Sequence, residues 1–157
     1  MRPLYTIGHS RHSMEQFVEL LRQHGVARVV DVRSFPSSRL APQFNRPQLE
    51  AALGAAGIAY EWRGAELGGR GREAYDVIRR KPGFQQAVRE LIVGSQEQAT
   101  AMMCAEEDPF TCHRRILITR SLLEDFSFLA VEHIRKDGQA QPEPGFPDSA
   151  VQLGLGF

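Results

Sequence analysis

The sequence predicts an α/β fold: a three-layer, mainly parallel five-stranded sheet with helices on both faces, Rossmann-like in type. Two observations predict it. Short apolar or β-branched runs alternate with stretches of helical spacing along most of the 157 residues. Capping residues and glycines mark helix starts and stops between those runs. Strands joined through helices pair in parallel, and right-handed crossovers then place helices over both faces.

Leu4 to Gly8 reads as the first strand. Ser13 and Gln16 form a capping box, so a helix starts there and runs through Phe17, Leu20, Leu21 and His24 to a stop at Gly25. The run Arg28 to Val32 is the second strand. Arg33 to Phe44, with two prolines and three serines, is a long ordered loop of a kind that is often functional. Asn45 and Gln48 repeat the capping arrangement before a helix striped by Leu49, Ala52, Leu53 and Ala56 and ended by Gly57. Ile58 to Trp62 is the third strand. A glycine-rich turn from Gly64 to Arg72 precedes a short helical piece at Tyr75 to Ile78. Pro82 then opens a helix through Phe84, Val88, Leu91 and Ile92. Ala99 to Cys104 is the fourth strand, Pro109 to Glu124 a helix, and Phe128 to His133 the fifth strand. Glycine and proline dominate from Asp137 onward. Residues 1–136 are therefore expected as a single α/β domain and 137–157 as a Gly/Pro-rich C-terminal tail.

The 19 basic and 19 acidic residues balance, which argues against attachment to nucleic acid or membrane by net charge alone. No apolar run approaches the ~20 residues needed to cross a bilayer, and no signal-peptide core opens the chain. Two cysteines do not make a disulfide framework. A cytoplasmic protein without a membrane partner is the expectation. The sequence names no cofactor and no oligomeric state.

Sheets of this class bind ligands outside the carboxyl ends of their strands, at a switch point in strand order. An order such as 3-2-1-4-5 sets strands 1 and 4 side by side there. Those ends carry Gly8-His9-Ser10, Asp31 with Arg33-Ser34, and Cys104 to Glu106, so distant residues converge on one rim. The densest chemistry lies between Met102 and Arg115, which hold two thiols, several carboxylates, an imidazole and two guanidiniums.

Each group has a chemical and a packing reading. Cys112 is expected in the first turns of a helix beside His113 and Arg114, where dipole and cations favour a thiolate; a buried cysteine would serve equally as a small core residue. Cys104 ends an apolar strand and carries the same two readings. Seven intervening residues are wide for a structural zinc pair, and no metal ligand is assigned. Arg33, Arg39, Arg70, Arg72 and Arg114 offer planar forks suited to phosphate. Arg33 and Arg114 are favoured because they sit at strand ends, while Arg39 and Arg72 read as solvated. Ser10, Ser34, His113 and the Gly68-Gly69 turn join them as an anion-binding surface. Asp31, inside a strand, needs a partner and is expected to orient Arg33 or His9. His9 and Glu106 are the candidates for moving protons. Gly68-Gly69 matches no nucleotide fingerprint and more simply permits a tight turn near the rim.

The chain resembles the bacterial and archaeal proteins grouped as domain of unknown function 488. The residues that carry the resemblance are Thr6-Ile7-Gly8-His9-Ser10, Asp31-Val32-Arg33-Ser34-Phe35-Pro36, Pro42-Gln43-Phe44-Asn45, Glu66-Leu67-Gly68-Gly69, Cys104-Ala105-Glu106 and Cys112-His113-Arg114. The resemblance implies an α/β fold and a polar site built from these motifs, and no activity. The sequence departs at its end, since such proteins often finish soon after a stretch like His133 to Gly138.

Two functions fit. One is an enzyme acting on a phosphate-bearing substrate, nucleotide-like or nucleic acid. There Arg33 and Arg114 hold the anion, Cys112 or Cys104 is the nucleophile, and His9 or Glu106 manages protons. The other is a non-catalytic nucleotide-, anion- or metal-binding sensor module.

Overall fold

A computed structural model describes residues 1–146, and the tail residues 147–157 lie outside the described part. Its centre is one six-stranded, mostly parallel sheet with helices. The strands are β1 (Leu4–Gly8), β2 (Arg28–Asp31), β3 (Ala59–Trp62), β4 (Thr100–Cys104), β5 (Val131–Ile134) and β6 (Ala140–Pro142). Their order is β3-β2-β4-β1-β5-β6, with only the β5–β6 pair antiparallel.

Two expectations are corrected by this order. β4 lies between β2 and β1, so the order 3-2-1-4-5 does not hold. Both β4 and β1 are interior strands paired in parallel on each side, and both are buried apart from the part-exposed Tyr5 of β1. The sheet also gains a sixth strand from the segment expected as tail. Asp137-Gly138 closes a tight hairpin, with the Gly138 amide donating to the Arg135 carbonyl and the Arg135 amide to that of Gln139. The pairing of β1 with β4 does hold, with Gly8 opposite Cys104.

Alternation along β4 feeds two cores. Met102 and Cys104 face one that holds Leu4, Val30, Phe84, Leu91 and Leu117, while Ala101 and Met103 face another with Ile7, Phe17, Phe44, Leu49 and Leu53. Helix α1 (Met14–Gln23) supplies Phe17, Leu20 and Leu21 to the second core and starts with the expected Ser13–Gln16 capping box. Helix α2 (Arg46–Ala55) follows a short 3₁₀ turn at Pro42–Phe44. Asn45 stands at its N-cap without capping it, because its Oδ1 accepts from the Ser38 amide at 2.7 Å and ties the long loop down. The first core is closed by α3 (Gly64–Leu67), α4 (Tyr75–Ile78) and α5 (Pro82–Glu97).

The expected helix from Pro109 to Glu124 is broken. Asp108 caps a 3₁₀ turn at Pro109–Thr111, Cys112 is extended (φ −115°, ψ 144°), and a π-helix at Arg114–Thr119 runs into α6 (Arg120–Asp125). Thr119 Oγ1 donates to the Arg114 carbonyl at 2.8 Å, which supports the wide turn. π-turns recur at functional sites. Here the wide turn sits where Arg114 enters the first core.

Candidate functional site

The carboxyl ends of β1, β2 and β4 meet in one rim, held by backbone bonds. The His9 amide donates to the Cys104 carbonyl and the Ser10 amide to that of Ala105, both at 2.8 Å, and the Val32 amide donates to the Met103 carbonyl at 2.9 Å. A Cβ on Gly8 would overlap the Glu106 carbonyl, so only glycine lets the two strand ends approach this closely. Ser10 pays for the turn with a left-handed backbone (φ 47°).

Two buried arginines stand under the rim, and they differ. Arg33 is saturated. Its Nε and Nη2 clamp Asp31 at 2.9 and 2.8 Å, and Nη1 lies 3.3 Å from His9 Nε2. Tyr60 adds its hydroxyl to Asp31 at 2.7 Å, and Trp62 Nε1 donates to the Arg33 carbonyl at 2.8 Å. Burial first, then the bond to Asp31, pushes the Tyr60 hydroxyl well above its usual range. His9 stacks on Phe44, and its Nδ1 lies 2.9 Å from the Ser10 carbonyl, which can only accept. The proton therefore sits on Nδ1, and the Nε2 lone pair faces the guanidinium. Burial pulls His9 down to about 4, so the ring is neutral at physiological pH.

Arg114 is fully buried and has no such partner. Nε donates to Thr6 Oγ1 at 3.1 Å, Nη2 to the Glu107 carbonyl at 3.1 Å, and Nη1 to the Glu106 carbonyl and to Cys104 Sγ at 2.9 Å. These acceptors are a hydroxyl, two carbonyls and a sulfur, and none is a carboxylate. Burial pushes the guanidinium down to about 10, partly offset by nearby Glu107, so it stays charged at neutral pH. The only acceptor among the four that can itself become an anion is Cys104.

Beside this pair opens a pocket of about 340 Å³, lined by Arg33, Ser34, Phe35, Arg70, Cys104, Glu106, Thr111, Cys112 and His113 among others. The Cys104 and Cys112 sulfurs are in contact there, with Cα atoms 7.8 Å apart. The two are joined as a bridge in this structure, across a backbone separation wider than the roughly 4.4–6.8 Å usual for one, so reduction is needed to free the thiols. His113 Nε2 lies 2.9 Å from the Val32 carbonyl and so carries the proton, which leaves the Nδ1 lone pair 3.8 Å from Cys112 Sγ. Burial holds His113 below its ordinary range. Glu106 is exposed at the edge, accepting from Thr111 Oγ1 at 2.9 Å. Arg70 is exposed, with its guanidinium over the Phe35 ring at 5.9 Å and its amide bonded to Ser34 Oγ at 3.0 Å. Gly68 and Gly69 bring this turn against the site: a Cβ on Gly69 would stand 2.6 Å from His113 Cβ.

A family model described as "Domain of unknown function DUF488" matches residues 13–121. The chain belongs to this family. No curated protein and no solved structure matches it. The family match covers Asp31 to Ser34, Gly68-Gly69 and the Cys104 to Arg114 segment, while Thr6 to Ser10 precede it.

The pocket thus gathers Cys104, Cys112, Glu106, His113, Ser34 and Gly69, with Arg33 bordering it. Three roles expected from the sequence are corrected. His9 packs on Phe44 with its lone pair turned to Arg33, away from the thiols, so it is not placed to take a proton from them. The Arg33 fork is occupied by Asp31 and is not free for an anion. The Arg114 fork points into the protein, onto Cys104. Cys112 stands just ahead of the helical segment, not within its first turn. Its carbonyl accepts from the Arg115 and Ile116 amides at 3.0 Å, so it lies at that segment's positive end. Ser10 meets the rim through its backbone, outside the pocket lining. Tyr75 and Thr111 also line the pocket and carried no site signal in the sequence, while Phe35 entered only as part of the Asp31 to Pro36 motif. Among the described residues, no group of three or more His, Cys, Asp or Glu side chains is arranged to hold a metal ion.

Proposed function

We propose that the chain is a thiol-dependent enzyme acting on an anionic, phosphate-bearing substrate, nucleotide-like or a nucleic-acid end. The observation that supports it above all is the buried Arg114 guanidinium, which has no carboxylate and donates to Cys104 Sγ at the pocket floor. A cation buried in this way stabilises an anion beside it, and a thiolate is the nucleophilic form of cysteine. Cys104 is then the nucleophile. Cys112, with the His113 lone pair beside it, is the second thiol, and Glu106 at the pocket edge exchanges protons with the leaving group. Arg70 takes over the anion-holding role, with Ser34 and the Gly68-Gly69 turn shaping that wall.

In a bridged form, two electrons and one proton from a dithiol reductant convert the pair into the Cys104 thiolate and the Cys112 thiol. A reducing compartment keeps that form populated, which favours a cytoplasmic location for a single domain of three-layer, Rossmann-like architecture. No helix among the described residues is long and apolar enough to cross a membrane. The sensor alternative uses the same pocket and differs from the enzyme by binding without turnover.

The test compares iodoacetate with neutral iodoacetamide on the reduced protein. A cationic pocket reverses the usual advantage of the neutral reagent at Cys104. Inorganic phosphate or a nucleoside monophosphate then slows the reaction, and Arg70→Ala abolishes the preference. A neutral-reagent preference like that of a free thiol, with no protection by phosphate, contradicts the anionic substrate.

A further inference from the structure

Thr6, His133 and Glu143 form a buried chain of hydrogen bonds that ends on Arg114 and has no part in the chemistry above. Donor rules fix its direction. Arg114 Nε only donates, so Thr6 Oγ1 accepts from it at 3.1 Å. The single hydroxyl proton of Thr6 then goes to His133 Nδ1, 2.7 Å away. His133 keeps its own proton on Nε2, which donates to Glu143 Oε1 at 2.8 Å. Thr6 and His133 are wholly buried.

The far end of the chain is anchored. Arg115 clamps both Glu143 oxygens at 2.8 and 2.9 Å, and the Gly145 amide donates to Glu143 at 2.8 Å. Arg115 lies between the rings of Phe110 and Phe146, at 4.5 and 4.2 Å. Burial pushes the Glu143 carboxyl up, but the bonds from Arg115, His133 and Gly145 outweigh it and hold the group below its usual range. His133 faces Glu143, Arg114 and Arg115, and burial keeps it below its ordinary range, in keeping with the neutral ring that the chain of donors requires. β6 makes this possible: pairing with β5 ends at Pro142, and the Glu143 amide then donates to the Val131 carbonyl at 2.8 Å.

We propose that Thr6, His133 and Glu143 are positioning residues that hold Arg114 against Cys104, so that the hairpin strand after β5 sets the reactivity of the thiol site. The proposal rests on the Cys104–Arg114 reading above. Nε lies in the plane of the guanidinium, so fixing it fixes the direction of Nη1 toward the sulfur. Without the Thr6 hydroxyl the fork keeps its charge and its bonds to the Glu106 and Glu107 carbonyls. It loses the contact that fixes the Nε edge, and with it the aim of Nη1 loosens. Outer partners of this kind tune a site through the group they orient.

The experiment uses the reduced full chain carrying Cys112→Ser, so that Cys104 is the sole thiol. The iodoacetamide rate is followed against pH, and exchange of the Arg114 Nε proton is followed by NMR. Thr6→Val and Glu143→Gln move the midpoint of alkylation upward by about half to one pH unit, roughly three- to tenfold less thiolate on the acidic side. Both variants also speed Nε–H exchange. Thr6→Ser, which keeps the hydroxyl, restores both readouts. Glu143→Gln serves alone if Thr6→Val does not fold. A parent midpoint well below that of free cysteine, with midpoint and exchange unmoved in the variants, overturns the positioning role alone. A parent midpoint equal to that of free cysteine overturns the Cys104–Arg114 reading itself, and the tuning role with it.

Discussion

The two buried arginines of the rim offer a natural contrast. Arg33 and Arg114 are both almost inaccessible and both reach a neighbouring histidine, directly or through Thr6, although Arg33 follows a strand end and Arg114 opens the π-helix. Arg33 has a carboxylate within its fork, and that carboxylate also accepts from the Arg33 amide and the Tyr60 hydroxyl. Arg114 has only neutral acceptors and a sulfur. The first arrangement is closed and holds the rim together. The second leaves a positive charge waiting for an anion, beside an open pocket. A buried guanidinium by itself therefore marks neither structure nor site; its counter-charge decides.

The contrast is broken most forcefully at Asp31. Asp31→Asn strands the Arg33 charge in the interior and is expected to cost about 3–5 kcal/mol, read as a lower denaturation midpoint. Reduced Cys104 in that variant, under native conditions, keeps its reactivity. A loss below about 1 kcal/mol would make the closed cluster dispensable.

Acid titration gives the next largest effect. His9 is held at about 4, below its ordinary value of 6.5, so the unfolded chain binds the proton first. Its contribution is fully present above pH 6.5 and is lost as pH falls toward 4, by about 3 kcal/mol in all. Replacing His9 by Asn should flatten the stability–pH curve in that window. An equally steep curve in His9→Asn assigns the acid sensitivity to His113 and His133 instead, whose values are also lowered.

In the bridged form, where the Cys104 sulfur is neutral, Arg114→Met is expected to change stability by no more than about 2 kcal/mol, because it strands no opposite charge and leaves only neutral acceptors unpaired. Arg33→Met, by contrast, strands Asp31 and should cost about 3–5 kcal/mol. Equal losses in the two variants would erase the distinction between the clusters. The smallest effect is expected at Gly69→Ala, where the new methyl presses on His113 and costs roughly 1 kcal/mol. Its clearer signature is altered alkylation of Cys112, whose neighbour His113 must shift.

Much of the rim was legible because strand ends and capping residues are local signals. The Ser13–Gln16 box, the strand-ending Gly8-His9 and Cys104-Ala105, and the partnership of Asp31 with Arg33 all follow from short-range chemistry. What escaped was set by long-range packing. The insertion of β4 between β2 and β1 is a matter of strand pairing, which the similar buried runs of β4 and β1 do not distinguish. The break at Cys112 depends on Arg114 entering the core. Asp137-Gly138 is a strong hairpin signal, but the following Gly/Pro-rich composition masked it, and with it the place of Glu143. The direction of each arginine fork is a tertiary fact that residue type alone cannot give.

The central claim is that Arg114 is the counter-ion of a Cys104 thiolate. Its most direct test is the pH profile of iodoacetamide alkylation of Cys104 in reduced Cys112→Ser protein, with and without Arg114→Met. With Arg114 present, Cys104 should react well below the pH at which a free cysteine does, and Arg114→Met should return the profile to that of a free or more sluggish buried thiol. Identical profiles in the two proteins would contradict the claim.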